Sequence, residues 1–174
     1  MWKKVEIYMQ PFFFSGSVDV KLDDKNRFVL PQSMRYGLVE EGVLEFSICL
    51  GLGGCLAIYR SSDIRKIVEK FRKNLHVAKF QKFFTLFFST LHHASCDKIG
   101  RVILPAKLKE AVKIKKEIVI AGVVNKIEIW AKDIYDLYLK DLIEKREGME
   151  NLQKMTEEAF SLLVEDDATQ TSSS

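Results

Sequence analysis

The chain has 174 residues, 47% hydrophobic and 29% charged, with a formal net charge of +3. That is long enough to bury a core and too apolar for general disorder, while the N-terminal apolar run from Pro11 to Phe14 is too short for a signal peptide or a membrane span. Three cysteines, Cys49, Cys55 and Cys96, are odd in number and lack metal-ligand spacing, which argues against a disulfide frame and for reduced thiols in a cytoplasmic protein.

Val18, Val20 and Leu22 alternate with Asp19 and Lys21, the period of a half-buried strand, and Phe28-Val29-Leu30 is a second β-rich run. Asp24-Lys25-Asn26 lies between them, so the spacing predicts a hairpin. Pro31 ends the second run and starts a short helix over Gln32 to Tyr36. Strands are expected over Val43 to Leu50 and Cys55 to Tyr59, on either side of Gly51-Leu52-Gly53-Gly54. Ser62 is the expected N-cap of a helix carrying Ile64, Ile67, Val68, Phe71 and Leu75 on one face, and a second helix is expected from Val77 to Phe88. The pattern then repeats: a turn at Asp97 to Arg101, Pro105 before a helix over Ala106 to Val112, and strands over Glu117 to Val124 and Lys126 to Trp130 joined tightly around Asn125. Ile134, Leu137, Tyr138 and Leu142 repeat the first long helix. After Gly148, Leu152, Met155, Ala159 and Leu162 or Leu163 repeat the second, and Asp166 to Ser174 is expected to be an unstructured tail.

The repeat is explicit in the letters. "LDDKNRFVLP" at 22–31 returns as "CDKIGRVILP" at 96–105, and the alignment extends without a gap to pair Phe13-Phe14-Ser15 with Phe87-Phe88-Ser89 and Met34-Arg35 with Leu108-Lys109. Two copies are too few for a solenoid. A pseudo-dimer follows instead, in which each half covers apolar strand faces that the other exposes.

Charge is unevenly placed. Residues 60–82 carry eight Lys or Arg against Asp63 and Glu69, residues 98–116 carry seven against Glu110, and residues 141–167 carry nine acids against three bases. The basic stretches suit either a nucleic-acid surface or lysine-rich solvated helix faces.

No set of residues suited to catalysis emerges. His92, His93 and Cys96 form the best metal candidate, but adjacent histidines on a strand point to opposite faces and no second ligand pair exists, so no metal and no cofactor is expected. Gly51-Leu52-Gly53-Gly54 lacks the Gly-Lys-Ser/Thr of a phosphate loop and precedes a strand. Phe80, Phe83, Phe84, Phe87 and Phe88 fit a helix packed on a core or a subunit interface. What remains is the repeated Asp-x-x-x-Arg. It is either a plain ion pair across a turn or a device in which Asp23 braces Arg27, and Asp97 braces Arg101, so that a guanidinium is held ready for guanine or phosphate. Asn26 and Gly100 are the residues expected to take positive φ in the two turns, and Lys25 and Lys98 add positive charge beside them.

These residues together resemble the MraZ transcriptional regulators: Phe14-Ser15-Gly16, Leu22 to Arg27, Leu30-Pro31, then Asp97, Gly100, Arg101, Pro105 and the closing Asn125 to Trp130. The resemblance covers about residues 13 to 160. It implies an α+β fold in which two SpoVT/AbrB-like swapped-hairpin halves form one pseudo-dimeric β-barrel, each half followed by a helical pair. The divisions expected are an N-terminal extension at 1–12, halves at 13–60 and 87–131, helical pairs at 61–86 and 132–165, and a tail at 166–174. It further implies a non-enzymatic, cytoplasmic and nucleoid-associated regulator. Such a protein would bind double-stranded DNA at short direct repeats upstream of its own division and cell-wall gene cluster, as a ring-shaped homo-oligomer and without a membrane. By motif position the DNA contacts fall to Lys25, Arg27, Lys98 and Arg101, with Asp23, Asn26, Asp97 and Gly100 bracing the turns; Asn26 stands where the family has Gly, and Ile99 stands opposite Lys25. An oligomeric protein-interaction module, an AbrB-like antitoxin or scaffold, is the alternative.

Overall fold

The computed structural model describes residues 12–171, with side chains described through Val164. All but the last residue of the expected N-terminal extension therefore lies outside the described residues. Two compact units emerge, one running through Lys132 and the other from Asp133 onward.

In the first unit, strand β1 (Ser17–Lys21) leads through a turn to β2 (Arg27–Val29) and the short helix α1 (Gln32–Leu38). A two-residue pair, β3 (Val39–Glu40) and β4 (Val43–Leu44), precedes β5 (Phe46–Leu50) and β6 (Leu56–Arg60). Helices α2 (Ser61–Arg72) and α3 (Gln81–Thr90) follow, and then the series returns as β7 (His92–Ala94), β8 (Arg101–Ile103), α4 (Ala106–Ala111), β9 (Glu117–Val123) and β10 (Lys126–Ala131). Pro31 and Pro105 stand immediately before α1 and α4, where a fixed φ and a missing N–H cost nothing.

The strands pair across the repeat. A six-stranded sheet has the order β1-β9-β10-β6-β5-β7, so each outer strand lies beside a strand of the opposite half and the two halves meet at β10 and β6. The order is a palindrome of equivalent strands, as a pseudo-twofold requires. At its centre Ile127 faces Ile58 and Ile129 faces Leu56, all four fully buried. Ala57 and Cys49 lie on one face against Ile64 of α2 and Phe87 of α3. Because side chains alternate along a strand, Leu56 and Ile58 point to the opposite face.

The spacing of Val18 to Leu30 predicts a hairpin whose two strands bond each other, and the structure corrects this. The turn closes, with Asp23 N–H donating to Arg27 O at 2.8 Å and Asn26 N–H to Asp23 O at 3.0 Å. β1 then ladders on β9, however, and β2 on β8. Each of these strands thus pairs with a strand of the other half. Among the described residues no closed barrel forms: the pairings give a six-stranded sheet with β1 and β7 at its ends, and β2 and β8 pair as a separate two-stranded ribbon of three residues each.

Two local expectations also change. Helix α2 begins at Ser61 without a side-chain cap, and the Ser62 N–H instead donates to Glu40 Oε1 at 2.9 Å. The helix expected through Phe88 forms as α3, so Phe87-Phe88-Ser89 is helical although the repeat aligns it with Phe13-Phe14-Ser15; Phe84 and Phe87 are buried, and Phe83, Phe84, Phe87 and Phe88 all pack around the Phe71 ring. Helix α5 (Lys132–Ile143), which enters the second unit at Asp133, is followed by α6 (Arg146–Thr171), which continues five residues past Asp166 where the tail was expected to begin. No Gly or Pro interrupts that stretch, so nothing local ends the helix. Leu52–Gly54 forms a 3-10 turn that leads through Cys55 into β6, in keeping with a connection between strands.

Candidate nucleic-acid interface

The two Asp-x-x-x-Arg turns are built alike. Asp23 Oδ1 accepts the N–H groups of Lys25 and Arg27, each at 2.9 Å, while its Oδ2 accepts Arg27 Nε at 2.7 Å. Asp97 Oδ1 accepts the N–H groups of Ile99 and Arg101, each at 2.9 Å, and its Oδ2 accepts Arg101 Nε at 2.6 Å. One carboxylate thus caps the turn and aims the arginine at once. Both aspartates are held in the charged form. The Arg27 amide leads in lowering the Asp23 pKa, and the Arg101 amide, then its side chain, bring Asp97 down to about 2.

Tight reversal needs a left-handed residue, and Asn26 (φ 56°) and Gly100 (φ 88°) supply it. Each then hands its carbonyl to the opposite half: Leu104 N–H donates to Asn26 O at 2.8 Å and Leu30 N–H to Gly100 O at 3.0 Å.

The ribbon β2–β8 brings the two turns together. Arg27 faces Ile103, Phe28 faces Val102 and Val29 faces Arg101. Phe28 and Val102 are buried, so the alternate residues Arg27, Val29, Arg101 and Ile103 share the outer face. Arg27 and Arg101 are diagonal neighbours there, a relation that places the two residues roughly 7–8 Å apart, within reach of long side chains. Lys25, Lys98 and Ile99 are exposed on the turns themselves. Of the expected site residues, the structure therefore places Asp23, Lys25, Asn26 and Arg27 in one turn and Asp97, Lys98, Gly100 and Arg101 in a second turn beside it.

Two basic residues at this site escaped the sequence reading. Lys109, on α4, donates from Nζ to Asn26 Oδ1 at 2.9 Å. Arg35, on α1, lies over Gly100 so closely that a Cβ there would overlap its guanidinium. The signal was present in the repeat, which aligns Arg35 with Lys109, but neither shares a strand or turn with the residue it reaches.

The metal candidate does not assemble. His93 Nδ1 lies 2.9 Å from Ser47 Oγ across β7 and β5, and among the described residues no group of three or more His, Cys, Asp or Glu could hold a metal ion. Burial pushes the Cys49 and Cys55 thiols up to about 12, so both are protonated at neutral pH. No described helix is long and apolar enough to cross a membrane.

Comparison with known proteins agrees with the repeat. The family model described as "MraZ protein, putative antitoxin-like" matches twice, over residues 13–85 and 87–159. The chain is 33% identical over 146 residues to the transcriptional regulator MraZ of Clostridium acetobutylicum, covering 82% of this chain and 98% of that one. It is 32% identical over 126 residues to the transcriptional regulator MraZ of Desulforamulus reducens, covering 72% and 86%. With both halves matched in order and two such relatives, the chain belongs to the MraZ family.

Proposed function

We propose that the chain is a sequence-specific DNA-binding transcriptional regulator whose reading surface is the outer face of the β2–β8 ribbon and its two turns. The observation that carries this is the pair of arginines held by identical aspartate brackets and set diagonally on one face. Because each aspartate takes Nε and the main chain, the terminal nitrogens of the guanidinium can turn outward to guanine O6 and N7 or to phosphate. Lys25 and Lys98 supply sequence-independent attraction to the backbone. Arg27 with Lys25 is the stronger head, since Ile99 takes the place of Lys25 in the second turn.

The target is double-stranded DNA with short direct repeats upstream of the protein's own division and cell-wall gene cluster, read in the cytoplasm at the nucleoid by a ring of subunits. Self-association is supported by the helices of the second unit, where Leu137, Tyr138, Met149, Leu152, Met155, Phe160, Leu162 and Leu163 are more than a third exposed. The acidic balance of residues 141–167 and the basic balance of 60–82 favour contact between copies. Several weak heads on adjacent repeats then act as one tight, salt-sensitive attachment.

The test compares wild type and Arg27→Ala for binding to a duplex carrying the gene's own upstream repeats, against a random duplex, over a range of salt. A bidentate contact to guanine predicts a loss of roughly 1–3 kcal/mol and weaker discrimination. Intact oligomers that never prefer the repeats would favour a protein-interaction module in which the Asp-Arg pairs only brace the fold.

A further inference from the structure

In each turn the left-handed residue is met by a basic side chain from the short helix of the other half. Lys109 of α4 reaches across 83 positions of sequence to bond Asn26 Oδ1 at 2.9 Å in a part-buried setting. Arg35 of α1 occupies the same relative place over Gly100. The two contacts differ in a matched way. Where the turn offers a side-chain amide, the opposing base is a lysine that bonds it; where the turn offers only hydrogen, the opposing base is an arginine that fills the space a Cβ would take.

We propose that Lys109 is a positioning residue for the first reading head: by holding the Asn26 amide it fixes the turn, and so fixes the direction in which Arg27 leaves the ribbon. The proposal rests on the DNA-binding reading above and adds to it a specific control of one head by the opposite half. Asn26 is an L-residue at φ 56°, a conformation that asparagine tolerates better than other L-residues but less well than the Gly100 of the second turn. Within the turn closed by the Asp23 carboxylate, Asn26 itself makes three bonds: Asn26 N–H to Asp23 O, Leu104 N–H to Asn26 O, and Lys109 Nζ to Asn26 Oδ1. The first two are common to both turns, with Gly100 in place of Asn26. The lysine bond is the one made by a side chain, and a cation on an amide oxygen is a stronger, charge-assisted contact than a neutral pair.

Lys109→Met keeps the aliphatic stem and removes the donor, and Asn26→Gly removes its acceptor while easing the turn. In the free full-length protein, Lys109→Met should speed amide exchange at Arg27 and Leu104 by about fivefold or more, leaving Ile99 and Leu30 unchanged, because only the first turn loses a brace. On the upstream-repeat duplex it should weaken binding about fivefold with the salt slope unaltered, and the double variant should bind no worse than Asn26→Gly alone. Unchanged exchange would overturn the brace. A salt slope reduced by about 0.9, with losses that add in the double variant, would make Lys109 a direct phosphate contact instead. Wild-type binding by Arg27→Ala would separate the two ideas: the DNA reading then fails, and exchange alone shows whether Lys109 still holds the turn.

Discussion

Phe28 lies directly opposite Val102 at the middle of the β2–β8 ribbon, and the two side chains are buried while their strand neighbours Val29 and Ile103 are exposed. The pair sits where the pseudo-twofold crosses the ribbon, since the flanking pairs Arg27 with Ile103 and Val29 with Arg101 are equivalents of each other. Both arginine-bearing turns therefore flank one apolar contact.

Removing that contact should be costly. Phe28→Ala is expected to destabilise the chain by about 3–5 kcal/mol, the range for deleting a buried aromatic side chain. Urea unfolding followed by circular dichroism would measure it, and a loss under about 1 kcal/mol would mean that the ribbon is not anchored through Phe28.

The acid behaviour of the turns follows from Asp97. Its pKa is lowered from an ordinary value near 3.8 to about 2 by the Arg101 amide and guanidinium. A carboxylate depressed on folding contributes stability that is full above its unfolded pKa and is lost as pH falls through the folded one. The contribution should thus fade between about pH 4 and pH 2, with no change between pH 5 and 8. A carboxyl-carbon NMR titration that found Asp97 at an ordinary value near 4 would contradict the bracket geometry.

Val124 holds φ 58° in the tight link between β9 and β10, a costly conformation for a β-branched residue. It is clamped there by Phe14, whose N–H donates to Val124 O at 2.7 Å and whose O accepts Val124 N–H at 2.9 Å. Val124→Gly should keep both main-chain bonds and relieve the strain, raising stability by about 1 kcal/mol, or a melting temperature higher by a few degrees. A lowered melting temperature would show that the exposed valine side chain contributes more than its backbone costs.

Glu40 serves as a remote cap for α2. Burial opposes its ionisation, but the bonds from Ser62 and the charges of Arg60 and Arg65 win, and its pKa lies below the ordinary value. Glu40→Ala should cost about 0.5–2 kcal/mol, as losing an N-cap does, while Glu40→Gln should recover much of that. Thermal melts of the two variants would distinguish the cap from simple loss of charge.

The parts of this protein set by local chemistry were legible in the letters. Pro31 and Pro105 mark the starts of the short helices because a proline limits its own backbone whatever surrounds it. The Asp23–Arg27 and Asp97–Arg101 brackets are likewise local, each closing within four residues, so their chemistry could be read before their surroundings were known. Alternation from Val18 to Leu22 marked a strand for the same reason.

Only the tertiary structure decided partners. A period of two says that a strand has a buried face but not which strand lies beside it, so the residues alone read β1 and β2 as one hairpin, whereas the fold gives β1 to β9 and β2 to β8. The same limit hid Glu40 at the start of α2, and it hid Lys109, whose amine meets Asn26 only because the halves exchange strands. The fold also showed that the repeat does not extend to Phe87-Phe88-Ser89, which is helical and packs on Phe71 while its aligned partner Phe13-Phe14-Ser15 is not in a helix. The sequence by itself determined two copies of an arginine-bearing turn; the exchange of strands between halves set those turns side by side, because hydrogen-bond and packing partners far apart in the chain are chosen by the whole fold.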